Sequence, residues 1–172
     1  MPSTVDCVNS FGRIVTVKVE DLIIRPSAYG FVRDTGDRIL VVAQRDGLGS
    51  GDLILPGGRL ERGETAASCV ERETLEETGC RVEAHSFACL AEAYFWCDIM
   101  NEPYQMVALF YHCAPLDRPG DRHDIFETEE GQAMWLTVAA AKERGFVKPL
   151  HADVTAGRLH PRLPPAFDNF GC

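Results

Sequence analysis

A glutamate-rich segment at residues 58–80, GRLERGETAASCVERETLEETGC, constrains the fold of this chain more than any other stretch. Six of its 23 residues are Glu, and none is Asp. Thr65 is a suitable helix N-cap, and Gly79 suits the left-handed position that ends many helices. The segment therefore predicts a helix over residues 66–78 that carries an unusual density of like charge.

Three carboxylates crowd the end of this predicted helix. At about 100° per residue, Glu73, Glu76 and Glu77 lie within one arc of about 100°. Glu73 and Glu77 face each other one turn apart and repel by roughly 0.2–0.5 kcal/mol on an open helix. Arg72 offsets part of this repulsion, but one cation cannot neutralise three carboxylates. A divalent metal ion can offset most of the remaining charge, and hard ions such as Mg²⁺ prefer oxygen ligands and are often shared with substrate phosphates.

A solvated acidic helix face is one explanation of these glutamates, since charge clusters on helices are common. The flanking residues favour another, because the pattern G-x5-E-x7-R-E-U-x-E-E-x-G-U, in which U is usually aliphatic, is matched at every fixed position. The matching residues are Gly58, Glu64, Arg72, Glu73, Glu76, Glu77 and Gly79. Thr74 and Cys80 occupy the U positions, and LPGG stands at residues 55–58. The chain therefore resembles the Nudix hydrolases, closely over residues 58–80 and more loosely over 15–156.

The resemblance implies a fold as well as a motif. The expected fold class is α/β, a Nudix-type α/β/α sandwich with a mixed sheet between helices. Predicted strands and helices interleave along the chain, which favours a sheet covered by helices on both sides. We expect one Nudix domain over residues 1–172, with a core at about 15–156 and a proline-rich tail at 158–172.

Hydrophobic patterns predict the elements around the helix. Residues 39–43 form a continuous apolar run, which indicates a strand buried on both faces. The other predicted elements are strands at 13–21, 27–33, 84–99, 104–114 and 133–137, a long polar loop at 115–132, and helices at 137–145 and 148–157.

The resemblance also implies a reaction and a metal site. Nudix enzymes use water and a divalent metal to cut a pyrophosphate bond in a nucleoside diphosphate linked to another moiety. The expected cofactor is Mg²⁺, with Mn²⁺ as the alternative. By resemblance, the metal ligands are Glu73, Glu76 and Glu77, joined by the carbonyl of Gly57. Glu64 is expected to support the metal or its waters.

The catalytic residues implied by the resemblance include Arg72, which would orient a glutamate through a salt bridge. The carboxylate that accepts a proton from the attacking water differs across the family. Glu73 and Glu76 are candidates within the motif. Glu129 and Glu130 are candidates in the polar loop, because they come just before the last predicted strand. A solvated loop acid is the alternative for either of these two.

Candidate substrate contacts are Arg45, Arg59 and Tyr94. The two arginines can meet phosphates, and the tyrosine can stack on a base. An exposed strand-end charge and a core aromatic are the alternatives. Pro103 and Tyr94 do not stand at the distances from the motif that mark ADP-ribose and dinucleoside-polyphosphate enzymes. The sequence therefore points to a small nucleotide, such as a modified nucleoside triphosphate.

Composition narrows the partners and the compartment. A net charge of -9, from 17 basic and 26 acidic residues, argues against a nucleic-acid polymer or an anionic membrane as partner. Seven cysteines without a C-x-x-C pair, and an N-terminus without an apolar run, favour reduced thiols and a cytoplasmic location. A homodimer formed through residues 16–24 and a monomer both remain open.

Two other functions remain beside the enzyme. A Nudix-fold nucleotide-binding sensor without catalysis is favoured by loss of Glu73, Glu76 or Glu77, and all three are present. A structural metal site needs a closed set of ligands, whereas carboxylates on an open helix face leave coordination positions free. The hydrolase is the leading hypothesis, and the silent sensor is the alternative.

Overall fold

The structure, a computed structural model, describes residues 3–9, 12–36, 38–44, 53–117, 125–127 and 131–144. Its strands, numbered in chain order, are β1 Thr4–Val8, β2 Ile14–Lys18, β3 Ile23–Val32, β4 Arg38–Gln44, β5 Leu53–Ile54, β6 Gly57–Arg59, β7 Val82–Cys97, β8 Glu102–Pro115, β9 Ile125–Glu127 and β10 Gly131–Thr137. Its α-helices are α1 Ala66–Thr78 and α2 Val138–Arg144, and a 3-10 turn spans Val19–Asp21.

The strands form two sheets. The larger has the order β2-β1-β7-β8-β3-β6, and the smaller has the order β5-β4-β10-β9. In the larger sheet β7 and β8 form an antiparallel hairpin, while β3 pairs with β8 in parallel. A parallel pair requires a long crossover connection, and here that connection contains α1. The predicted mixed sheet is confirmed.

The two helices cover opposite faces of β3. Successive side chains of a strand point to opposite faces. Ala28 packs in one apolar cluster with Val70 of α1. Its neighbours Tyr29 and Phe31 belong to a second cluster, which contains Ala141 of α2. The core therefore has two layers separated by sheet, which confirms the predicted α/β/α sandwich.

The apolar run at the centre of β4 is buried on both faces, as predicted. Each residue from 39 to 43 is at most 5% exposed. Ile39 and Val41 join the cluster on the α2 side, while Leu40 joins the cluster on the α1 side. A strand between two apolar layers needs no polar face, which is why its sequence does not alternate.

The structure differs from the prediction at several strands. β1 was not predicted, although it pairs with β2 along its whole length. β3 begins at Ile23, four residues before the predicted start, because its first residues pair with β8. The predicted strand at 13–21 stops at Lys18, where the 3-10 turn begins. β9 lies inside the predicted loop at 115–132, paired with β10. Each difference depends on a partner strand that is distant in the sequence.

The remaining predictions about organisation are only partly covered by the described residues. The predicted helix at 148–157 and the tail at 158–172 lie outside them. The described helices include none that is both long and apolar enough to cross a membrane. Six cysteines lie in the described part of the chain, all with free thiols, and all but Cys97 are buried.

Candidate active site

Helix α1 has the bounds that its caps predict. The Thr65 hydroxyl accepts a hydrogen bond from the Ser68 N–H at 3.1 Å. At the other end Gly79 adopts φ 69°, and its N–H donates to the Leu75 carbonyl at 2.8 Å. A left-handed residue is best filled by glycine, so the chain leaves the helix directly after its acidic turn.

Strand β6 presents its outer backbone groups to α1. The Pro56 carbonyl accepts a hydrogen bond from β3 at 2.9 Å, and the Leu60 N–H donates to β3 at 3.2 Å. Backbone groups in an antiparallel pair alternate between facing the partner strand and facing away. Gly57 and Arg59 therefore turn both their N–H and C=O groups away from β3. Because β6 is the last strand of its sheet, these groups lie at the sheet's outer edge.

Glu77 is anchored on that edge. The residue as a whole is only 6% exposed, and its carboxylate accepts a hydrogen bond from the Gly57 N–H at 2.9 Å. Burial of a carboxylate is costly unless it is hydrogen-bonded, and this bond supplies a partner. The last turn of α1 is thereby fixed against the LPGG segment, 20 residues earlier in the chain.

Two adjacent glycines make room for this arrangement, each in a different way. Gly57 has φ 139°, and a Cβ there would stand 2.2 Å from the Ala28 carbonyl oxygen. Gly58 has no such backbone conflict, but a Cβ there would stand 2.6 Å from the carboxyl carbon of Glu73. Gly57 is therefore required by the backbone, whereas Gly58 gives the Glu73 carboxylate its place.

Arg72 links three glutamates. Its Nε and Nη2 bind the two carboxylate oxygens of Glu64 at 2.8 and 3.0 Å. Its Nη1 binds Glu73 at 2.9 Å and Glu76 at 3.0 Å. Nη2 also donates to the outward carbonyl of Arg59 at 3.3 Å. The planar guanidinium suits this task, because its donors are fixed relative to one another.

These contacts shift the ionisation of the groups involved. Hydrogen bonds from Arg72 lower the pKa of Glu64 to about 2. The same bonds raise the pKa of Arg72 above its ordinary value. Burial raises the pKa of the adjacent Cys69 thiol to about 12. At neutral pH the arginine is a cation, Glu64 is an anion and Cys69 is a thiol, so Cys69 is not a candidate nucleophile.

The donor set suits a hard divalent ion. Glu73 and Glu76 both accept a hydrogen bond from Nη1 of Arg72. Glu77 binds the Gly57 N–H, and the Glu73 carboxylate lies beside the adjacent Gly58. Carboxylate oxygens are the preferred ligands of Mg²⁺. Within the described residues, however, no three His, Cys, Asp or Glu side chains stand close enough to share one ion. The carboxylates are gathered at the edge of β6 with Arg72 between them.

The predicted substrate contacts are not brought together. Arg59 lies on β6 with an exposed side chain. Tyr94 is 43% exposed on β7, which β8 and β3 separate from β6. Three strand spacings correspond to roughly 14 Å, so the two side chains do not line one contact point. Arg45, Glu129 and Glu130 lie outside the described residues.

Sequence reasoning missed Arg25 and Ser27 of β3, whose side chains face the same side of the sheet as Tyr29. Both have a buried polar atom without a hydrogen-bond partner among the described residues. The available signal was weak, since it consists of two polar residues near the start of an otherwise mostly apolar strand.

Comparison with known proteins identifies the family. A profile of the NUDIX domain matches residues 24–157. The chain belongs to the Nudix family. A MutT-like protein from Streptomyces ambofaciens is 34% identical over 113 residues, which are 66% of this Nudix chain and 63% of that relative. The match thus spans less than two thirds of the relative's own length.

Solved structures show the same fold for this Nudix chain. A NUDIX hydrolase from Nitrosomonas europaea matches with a TM-score of 0.58 at 22% identity, covering 81% of this chain and 94% of the other. A MutT protein from Methanosarcina mazei Go1 matches with a TM-score of 0.59 at 15% identity, covering 80% and 94%. At such identities the likeness concerns the fold alone.

Proposed function

We propose that this Nudix chain is a divalent-metal-dependent hydrolase of small nucleotides. It cleaves the pyrophosphate bond of a nucleoside diphosphate linked to another moiety, such as a modified nucleoside triphosphate. One observation carries the proposal: three carboxylates of α1 gather at the outer edge of β6, one bound to the Gly57 N–H and two to Arg72.

Glu73, Glu76 and Glu77 are the proposed metal ligands, with the outward carbonyl of Gly57. Mg²⁺ is the expected ion and Mn²⁺ the alternative. When bound, such an ion neutralises and orients a pyrophosphate and lowers the pKa of a water molecule. Glu76 has a side chain 55% exposed, so it is open to an incoming ion and substrate. An open ligand set of this kind suits catalysis better than a purely structural site.

Arg72 and Glu64 prepare the carboxylates. Arg72 holds Glu73 and Glu76 side by side, which offsets their mutual repulsion before any ligand arrives. Glu64 fixes Arg72 by two hydrogen bonds, and its pKa of about 2 makes it a poor proton acceptor. The proton of the attacking water is therefore assigned to a different carboxylate, and Glu76 and Glu73 are the candidates within the motif.

Glu129 and Glu130 stay candidates for the same proton transfer, outside the described residues. A charge of -9 is consistent with a small nucleotide substrate rather than a nucleic-acid polymer or an anionic membrane, and a cytoplasmic location is part of the proposal. A homodimer is also proposed, because β2 is the outer strand of the larger sheet and can pair with a second copy.

Release of phosphate, pyrophosphate and mononucleotide from a substrate panel tests the proposal. The panel holds 8-oxo-dGTP, ordinary nucleoside triphosphates, ADP-ribose, nucleotide sugars and diadenosine polyphosphates, each with Mg²⁺ or Mn²⁺. Glu76→Gln removes a proposed ligand. Glu71→Gln is the matched control, because Glu71 lies on the same helix and binds the Ala84 N–H instead.

Turnover of a panel member that falls at least a hundredfold in Glu76→Gln and persists in Glu71→Gln is the expected result. Equal turnover in the two variants would remove the metal-ligand assignment. Tight binding of a nucleotide without turnover in the unmodified protein would instead favour the silent sensor.

A further inference from the structure

Two polar side chains on β3 carry a buried atom that has no hydrogen-bond partner in the described part of the chain. These atoms are Nε of Arg25 and Oγ of Ser27. Ser27 as a whole is 1% exposed. The two residues are two positions apart on one strand, so their side chains point to the same face of the sheet.

Such groups are uncommon in folded proteins, because a buried donor without an acceptor keeps its full desolvation cost. Two on one strand face are less easily ascribed to a packing defect than one. The hydroxyl of Thr74 in α1 is the third such atom among the described residues, but it stands alone in the apolar core. The pair on β3 therefore calls for an acceptor that is absent from the described protein.

The guanidinium of Arg25 is held ready for such an acceptor. It lies over the ring of Tyr104, 5.1 Å from the ring centroid. Stacking on an aromatic ring steadies the guanidinium and leaves the donors at its edge available. The carboxylate of Glu102 accepts a hydrogen bond from the hydroxyl of that same tyrosine.

Arg25 and Ser27 lie one strand away from the outer edge of β6, where the proposed metal ligands gather. Ser27 is directly opposite Arg59 in the β3–β6 register. Opposite residues of an antiparallel pair share a face, so Arg25, Ser27 and Arg59 form one polar strip. The backbone carbonyl of Arg59 in turn binds Arg72, which holds the proposed metal ligands. The strip therefore begins at the edge of β6, beside the proposed reaction site, and lies on the sheet face opposite α1.

The chemistry of the strip selects an anion. Arginine offers donors only, and a serine hydroxyl can donate. Two arginines beside a buried hydroxyl stand out in a chain with a net charge of -9. Planar donor pairs of arginine match phosphate oxygens well. We infer that Arg25 and Ser27, with Arg59 opposite, form a subsite for phosphate oxygens of the nucleotide substrate, an inference that rests on the proposed function.

Binding measurements test the subsite without relying on turnover. Calorimetric titration with inorganic pyrophosphate, in metal-free buffer, compares the unmodified protein with Arg25→Gln and Ser27→Ala. Arg13→Gln is the matched control, because it removes the same charge from an exposed position in the loop before β2. We expect Kd to rise about tenfold in Arg25→Gln and several-fold in Ser27→Ala, with no change in Arg13→Gln.

A second titration with guanosine separates the possible occupants. Weaker guanosine binding in Arg25→Gln, with pyrophosphate binding unchanged, would overturn the inference by assigning the strip to the base. So would an unmodified protein that binds no pyrophosphate. If Arg25→Gln fails to fold, as judged by circular dichroism, unchanged pyrophosphate binding in Ser27→Ala is the refuting result.

The substrate panel and these titrations fail independently. Pyrophosphate affinity that depends on Arg25, in a protein inactive on the whole panel, would leave the subsite standing and remove the proposed hydrolase. Metal-dependent turnover, with a pyrophosphate affinity that does not change in Arg25→Gln, would support the proposed hydrolase and remove the subsite.

Discussion

The adjacent glycines of the LPGG segment should separate stability from activity. In Gly57→Ala the new methyl group meets the Ala28 carbonyl at 2.2 Å, and φ 139° is unfavourable for an L-residue. Backbone strain and overpacking together should destabilise the protein by about 2–5 kcal/mol. For a chain of this size each kcal/mol lowers Tm by roughly 2–4 °C, so Tm should fall by about 5–20 °C.

In Gly58→Ala the obstacle is the movable end of a side chain, the Glu73 carboxyl at 2.6 Å. A shift of roughly 1 Å relieves the contact, and a misplacement of that size can cost about a hundredfold in rate. Tm should therefore change by less than about 3 °C, while metal-dependent kcat/KM falls by about a hundredfold.

Thermal melts followed by circular dichroism, together with the hydrolysis assay, check both outcomes. A double-mutant cycle adds a control, since Glu73→Ala removes the group that the Gly58 methyl displaces. Any stability lost in Gly58→Ala should return in the Glu73→Ala background. Gly58→Ala with full activity, or with as large a loss of Tm as Gly57→Ala, would refute the assignment of distinct roles.

Three further variants give sharp outcomes. Ser27→Ala should raise the free energy of unfolding by about 1 kcal/mol in urea, because it removes a buried hydroxyl that has no partner among the described residues; a loss of stability would show that Ser27 has a partner. Thr74→Val should stabilise similarly and leave turnover intact, and lost turnover would count against a purely structural Thr74. The depressed pKa of Glu64 contributes stability above its unfolded pKa of about 4.3, and this is lost as pH falls toward 2. In metal-free Glu64→Gln, the free energy of unfolding should depend less on pH over this range. An unchanged pH dependence would reject the Glu64–Arg72 ion pair as its cause.

The sequence predicted α1 accurately because its determinants are local. Thr65 and Gly79 bound the helix, and the positions of Glu73, Glu76 and Glu77 follow from helical geometry alone. The buried strand β4 was equally predictable from the sequence, because a strand between two apolar layers has an unbroken apolar sequence.

The surroundings of that helix were not predictable in the same way. No strand was predicted at Gly57–Arg59, yet these residues form β6 against β3. The bond from the Gly57 N–H to Glu77 spans 20 residues and depends on that pairing. Tyr94 is a predicted substrate contact chosen by its residue type, and the order of strands in the sheet places it three strands from β6. Residue type suggests a role, whereas topology decides which side chains meet.

Arg72 and Arg25 show two ways in which this fold uses a partly buried arginine. Arg72 has its charge shared among three carboxylates, so its own partners are complete before any ligand arrives. Its two bonds to Glu64 would hold the guanidinium in place if Glu76 bound a metal ion as proposed. Arg25 stacks on an aromatic ring and has a buried donor that bonds to nothing in the part of the chain that the structure describes. An arginine of the first kind positions other side chains, and one of the second kind is suited to bind a ligand itself.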